Sequence, residues 1–255
     1  MLLKFRMSKL KESFQLKAII ILIAFFSNGC FAEQSQYTIG IGNLDHYPYF
    51  SANRNSIARD VFDGFADSKG ISFEYRPMTI SQLHRALLVN DSVDFRFPDH
   101  PSWGLDYKQQ QKIHYSRGVV EYVDGIITKS ERNINSIGKV RVIGAVQGMT
   151  LVPYLEVIEE NGINVLRTTN FRRLITALIN DKVDGVYSNI HVMLGLINES
   201  NADVNVSFNY SLPYQRSSYR LSSKKYPDML KEFDHYLKAN SIRIEAIKRN
   251  YGITP

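Results

Sequence analysis

Arg141 to Glu160 reads RVIGAVQGMTLVPYLEVIEE. Val142–Val146 is a short apolar run with the length and composition of a buried strand. Gln147-Gly148 breaks the run. Thr150 is then placed as the N-cap of a helix, because Leu151, Leu155 and Ile158 at i, i+4 and i+7 share one face. Gly162 ends that helix. A strand that turns through glycine into a helix start presents free backbone N–H groups and a partial positive charge. Such a turn suits a carboxylate or another anionic group. An ordinary βα unit has the same features, so the flanking chain has to decide between the two readings.

Upstream, Tyr37–Gly42 reads as a first strand, followed by the aromatic loop Asn43 to Phe50, NLDHYPYF. Loops beyond strand C-termini are where open α/β sheets bind ligands, which makes Asn43 and His46 candidates. Tyr49 and Phe50 read as packing residues. Asn55 or Ser56 caps a helix carrying Ile57, Val61 and Phe65, and Gly70 ends it. Ile71–Tyr75 is a strand, Ser81 to Val89 a helix and Val93–Phe97 a third strand. This β-α-β-α-β order is that of a parallel sheet with helices on its faces.

Pro98 to Lys112 interrupts the order with a polar loop that holds the only tryptophan, Trp103. Trp103 fits two roles, a stacking platform for a ligand or a plug that holds the loop down. Arg96 lies inside an apolar strand, so it needs a partner, and Asp94 or Asp99 is the expected one. Ile113–Thr128 is long and β-rich and carries the chain from one sheet to another. Downstream of the opening stretch, Ile163–Thr168, an Asn170-capped helix, Val183–Tyr187 and a helix over Asn189 to Glu199 repeat the α/β pattern. Val204–Leu212 and Ser217–Ser222 read as extended, and Pro227 opens the final helices. Two α/β halves joined by two extended passages define two lobes with a cleft.

Composition narrows the function. The formal charge of +6 comes mostly from residues 1–32, which hold five of the 31 basic residues and one of the 25 acids. The remaining 26 bases and 24 acids give no charge argument for nucleic acid. Ala18–Phe26 after a basic segment is too short to span a bilayer and suits the core of an export signal, with cleavage after Ala32. Lipid attachment at Cys30, the only cysteine, is the rival reading. Cleavage leaves no thiol and no disulfide framework. No metal-ligand cluster, phosphate loop or Gly-x-Ser-x-Gly elbow occurs, so no cofactor or metal is expected.

Several segments carry a family resemblance. They are YTIGIGNLDHYPYF, RPMTISQLHRALLVNDSVDF, IHYSRGVV, INSIGKVRVIGAVQGMT and LITALINDKVDGVYSN, in that order. The series resembles the family 3 extracellular solute-binding proteins of bacterial ABC transporters, the amino-acid-binding type, over about 37–253. The resemblance implies a type II periplasmic-binding-protein fold. It implies one lobe of 37–117 plus 220–255, a second of 123–215, and hinges near 118–122 and 216–219. It also implies capture of a ligand by hinge closure, with a transporter permease or a membrane receptor as partner, by a monomer.

The chain departs from that family at the ligand. The arginine that forks an α-carboxylate is missing from the Trp103 loop, where Lys108 is the nearest cation. The aspartate that receives the α-ammonium is replaced by Asn189. Both changes argue against a standard α-amino acid. The candidate ligand-binding residues are Asn43, His46, Asp99, His100, Trp103, Lys108, Gly148, Met149, Thr150 and Asn189. Three functions fit this set: delivery of a small polar ligand to a transporter, a ligand-loaded sensor subunit, and a dehydratase-like enzyme. An enzyme would draw on His46, His100, His114, His191, Asp99 or Glu121 as acid or base. No paired acid–base spacing supports the enzyme, and the binding protein is the expectation.

Overall fold

The computed structural model describes residues 34–253. The export signal, its cleavage point and Cys30 lie outside the described residues.

β1 (Gln36–Gly42) has its last four residues buried and forms the centre of one parallel set, paired with β2 (Ser72–Met78) and β3 (Phe95–Asp99). Between them, α1 (Ile57–Lys69) starts where the Ser56 side chain accepts from the Arg59 N–H. It stops at Gly70, whose φ of 65° lets its N–H turn back to the carbonyls of Ala66 and Asp67. α2 (Ile80–Leu88) opens with a reciprocal cap between Thr79 and Gln82. Its Leu83 and Leu87 face inward, as the sequence pattern requires.

A single helical turn, α3 (Leu105–Lys108), sits in the polar loop. β4 (His114–Lys129) then runs for 16 residues. A second parallel set follows, with β5 (Val142–Val146) between β6 (Asn164–Thr168) and β7 (Gly185–Asn189). Its helices are α4 (Leu155–Glu160), α5 (Phe171–Ile179) and α6 (Ile190–Ser200). β8 (Val206–Phe208) pairs with β4, and β9 (Tyr214–Ser223) runs antiparallel to β4 along most of its length. α7 (Pro227–Ala239) and α8 (Ser241–Asn250) finish the chain against the first set, where Phe233 packs on Phe62 and Phe65.

The sheet order is β2-β1-β3-β9-β4-β7-β5-β6, with β8 beside β4. Two parallel sets therefore flank a central antiparallel pair, β4 and β9. The chain crosses from the first set to the second in β4 and returns in β9.

Three sequence expectations change. Thr150 is not a helix cap. A 3₁₀ turn at Val152–Tyr154 intervenes, with Pro153 in its first turn, and α4 begins only at Leu155. The expected apolar face fails with it: Leu151 is buried, whereas Leu155 is 52% exposed. The third strand starts later than its apolar run, so Pro98 and Asp99 lie within β3 rather than in the loop. Of the Val204–Leu212 passage, only Val206–Phe208 forms a strand.

Candidate functional site

A cavity of about 70 Å³ lies where the two parallel sets face each other. The β1–α1 side contributes Leu44, His46 and Phe50, and β3 contributes Arg96 and Pro98. The β5–α4 turn contributes Gly148, Met149 and Thr150. The central strands contribute Asp124 from β4 and Tyr219 from β9, with Tyr187 from β7. Phe171 and Trp103 complete the apolar wall. The volume is under half of the ~150 Å³ that a benzene-sized guest occupies in an apolar cavity.

The two sides touch directly around this cavity. The Gly104 N–H donates to Thr150 Oγ1 at 3.2 Å. Gly148, at φ +89°, brings its backbone so close to α2 that an added Cβ would stand 2.9 Å from Ile80 Cβ. Only glycine meets both conditions. His46 lies 5.6 Å from the Phe171 ring, and Asn189 Nδ2 donates to the Tyr49 hydroxyl at 3.3 Å. At the rim, Arg54 joins Asp45 at 2.8 Å to Glu199 at 3.0 Å.

Of the residues singled out from sequence, His46, Trp103, Gly148, Met149 and Thr150 line the cavity. His46 is buried, with Nε2 2.9 Å from the Tyr219 hydroxyl, and burial pushes its pKa down to about 3. It stays neutral across the physiological range. Trp103 lies 5.9 Å from both Tyr122 and Tyr219, which stack on each other at 4.3 Å. Thr150 offers its hydroxyl from the loop before the 3₁₀ turn, not from a helix start.

The other five stand outside the lining. Asn43 is exposed, and its N–H donates to the Met78 carbonyl. His100 holds Ser217 Oγ at 2.9 Å. Asn189 is buried, and its side-chain oxygen caps α6 at His191 and Val192. Asp99 and Lys108 form a buried pair at 2.7 Å, and Lys108 also donates to the His100 carbonyl. Burial pushes the Asp99 pKa up, but the Arg96 and Lys108 cations and the Ser222 hydroxyl outweigh it and hold the carboxyl below its ordinary range.

Two charged groups that sequence reasoning did not assign to the cavity also line it. Arg96 Nη1 donates to His84 Nδ1 at 2.9 Å and lies 3.8 Å from Asp99 Oδ1. A guanidinium has no acceptor, so His84 Nδ1 must be unprotonated. Burial, and then the Arg96 charge, push the His84 pKa down to about 3. The expected carboxylate partner of Arg96 is thus Asp99, with His84 closer still. Asp94 instead accepts from the Thr38 N–H. The second group is Asp124, which is 3% exposed. Its Oδ1 has no hydrogen-bond partner within the protein. Burial pushes its pKa up to about 7, against a smaller lowering by Asn189.

Two parallel sets joined by an antiparallel pair, with a cavity between them, are the two-lobe periplasmic-binding-protein fold. Solved structures of amino-acid-binding proteins share it. The GluR0 ligand-binding core in complex with L-glutamate matches with a TM-score of 0.70 at 16% identity, covering 86% of this chain and 99% of that one. The arginine-, lysine-, histidine-binding protein ArtJ of Geobacillus stearothermophilus matches at 0.69 and 17%, covering 87% and 97%. The substrate-binding protein of an amino acid ABC transporter matches at 0.67 and 14%, covering 85% and 99%. No family model and no curated protein sequence matches the chain. Among the described residues, no helix is long and apolar enough to cross a membrane.

Proposed function

We propose that the protein is an exported solute-binding protein that traps a small polar ligand between its lobes and delivers it to an ABC transporter. One lobe comprises 37–117 and 220–255, and the other 123–215. The crossing segments near 118–122 and 216–219 act as the hinge. The observation that carries this reading is the cavity itself. It is walled by both parallel sets and floored by the two strands that connect them, so rotation about β4 and β9 opens or closes it. Contacts that span the gap, such as Gly104 to Thr150, belong to the closed arrangement. A guest that adds contacts to both walls favours that arrangement, and a membrane partner then reads the closed shape.

His46, Trp103, Gly148, Met149 and Thr150 would contact the ligand. Asp99, His100, Lys108 and Asn189 would hold the walls in place, and Asn43 the loop beside them. The fold neighbours named above are ligand-binding proteins, which supports binding over catalysis. A thermal-shift screen against amino acids, amines, organic acids and small aromatic compounds tests the reading. A ligand raises the melting temperature progressively with its concentration. A protein that responds to none of these classes, yet turns one of them over, would not be a binding protein.

A further inference from the structure

We propose that Asp124 is the anchor for a protonated amine, so that the ligand of the cleft is a small cation with an apolar body. The proposal rests on the ligand-binding reading above and names its ligand class.

Asp124 is a buried carboxyl at the wall of the cavity with an oxygen that nothing in the protein satisfies. Such a group costs stability unless something compensates it. The two cations near the cavity, Arg96 and Lys108, share the one Asp99 carboxylate, and Arg96 Nε has no hydrogen-bond partner. Arg96 is engaged by His84 and Asp99, and Lys108 by Asp99. Among the described residues, Asp124 alone of the cavity-lining charges has no counter-charge. A carboxylate guest would meet the Asp124 charge unfavourably, and of Arg96 it would find Nη1 held by His84 and only Nε without a partner. An ammonium guest would satisfy the free oxygen directly.

The surroundings fit a cation as well. Tyr187 and Asn189 face Asp124 from β7, Tyr219 and Gln215 from β9, Tyr122 from its own strand and Tyr49 from the loop after β1. Aromatic faces attract ammonium groups, most strongly where water is excluded. Phe50, Phe171 and Trp103 would take the apolar body. Across the cavity stand Arg96 and the neutral imidazoles of His46 and His84. Burial pushes all four phenols up and both imidazoles down, so Asp124 is the group among these that changes charge near neutrality.

The cavity volume calls for small probes. Ethylamine, with half the heavy atoms of benzene, carries the ammonium, ethanol is its neutral counterpart and acetate its anionic one. Trp103 is the only tryptophan and lines the cavity, so its fluorescence reports occupancy. The amine should bind, and about tenfold or more tighter than the alcohol or the acid. Asp124→Asn should remove that preference. The amine should also bind about tenfold more weakly at pH 6 than at pH 8, because the carboxyl must first lose its proton. Equal binding of amine and alcohol, or an Asp124→Asn protein that keeps the preference, would overturn the assignment while leaving guest capture intact. Preferred binding of acetate, or no response to the amine, would overturn it too. In that last case guest capture itself is decided by the wider thermal-shift screen.

Discussion

Replacing Asp124 with asparagine should stabilise the ligand-free protein, and by an amount that grows with pH. The folded carboxyl titrates near 7, against an ordinary value of 3.8. The folded state therefore holds its proton more tightly than the unfolded chain does. This contribution to stability is fully present below pH 3.8 and is lost as pH rises through about 7. The whole shift corresponds to about 4 kcal/mol, of which about 2.5 kcal/mol falls between pH 5 and pH 8. Asparagine has nearly the same shape and cannot ionise, so it escapes the loss. His46 and His84 act in the opposite sense, because their folded pKa values lie low and their contribution is lost as pH falls from 6.5 through about 3. Both proteins carry these histidines, so the effect cancels in the difference. Urea unfolding of both proteins at pH 5, 6, 7 and 8, extrapolated linearly to water, gives that difference directly. The advantage of Asp124→Asn should widen steadily with pH. A difference that stays flat over that range would mean Asp124 is solvated or paired, and the reasoning about its free oxygen would be wrong.

Other perturbations probe the cleft from different sides. Trp103→Ala should weaken binding of any ligand found, with circular dichroism unchanged; unaltered affinity would make Trp103 a plug for its loop. Gly148→Ala puts a Cβ 2.9 Å from Ile80 Cβ on a backbone at φ +89°. It should disfavour the closed arrangement by about 1–3 kcal/mol, read as a weaker ligand affinity; an unchanged dissociation constant would show that the two walls do not meet there. Arg54→Ala breaks the rim pairs to Asp45 and Glu199, whose side chains are about half exposed or somewhat less. Solvent screening limits the effect to roughly 1 kcal/mol or less, and added salt should erase it; a larger, salt-independent loss of affinity would refute a purely rim role.

The architecture was readable because hydrophobic period and turn chemistry agreed along the chain. Ser56 and Asn170 each cap the helix that follows, and Gly70 ends one. The Arg141–Glu160 stretch holds the expected strand but does not pass directly into a helix. Pro153 favours a 3₁₀ turn, and Leu155 points to solvent although its spacing matched an apolar face. Cavity residues on loops beside strand ends, such as His46 and Trp103, were accessible to reasoning from strand order. Asp99 and Lys108 were also singled out, but two opposite charges close in sequence satisfied each other instead of facing the cavity. Asp124 was missed although the signal existed. It is an acid beside Val123, Ile126 and Ile127 in a β-rich passage, the same anomaly as Arg96 in its apolar strand. Tyr187, Tyr219 and Phe171 carry no local mark at all. They meet only because β4 and β9 bring distant strands together.

Small-angle X-ray scattering of the protein, with and without a compound that raises its melting temperature, bears most directly on the claim that two lobes close on a guest. The radius of gyration should fall on addition of the compound, toward the value of the arrangement in which Gly104 reaches Thr150. Identical scattering curves in the presence of saturating ligand would contradict it.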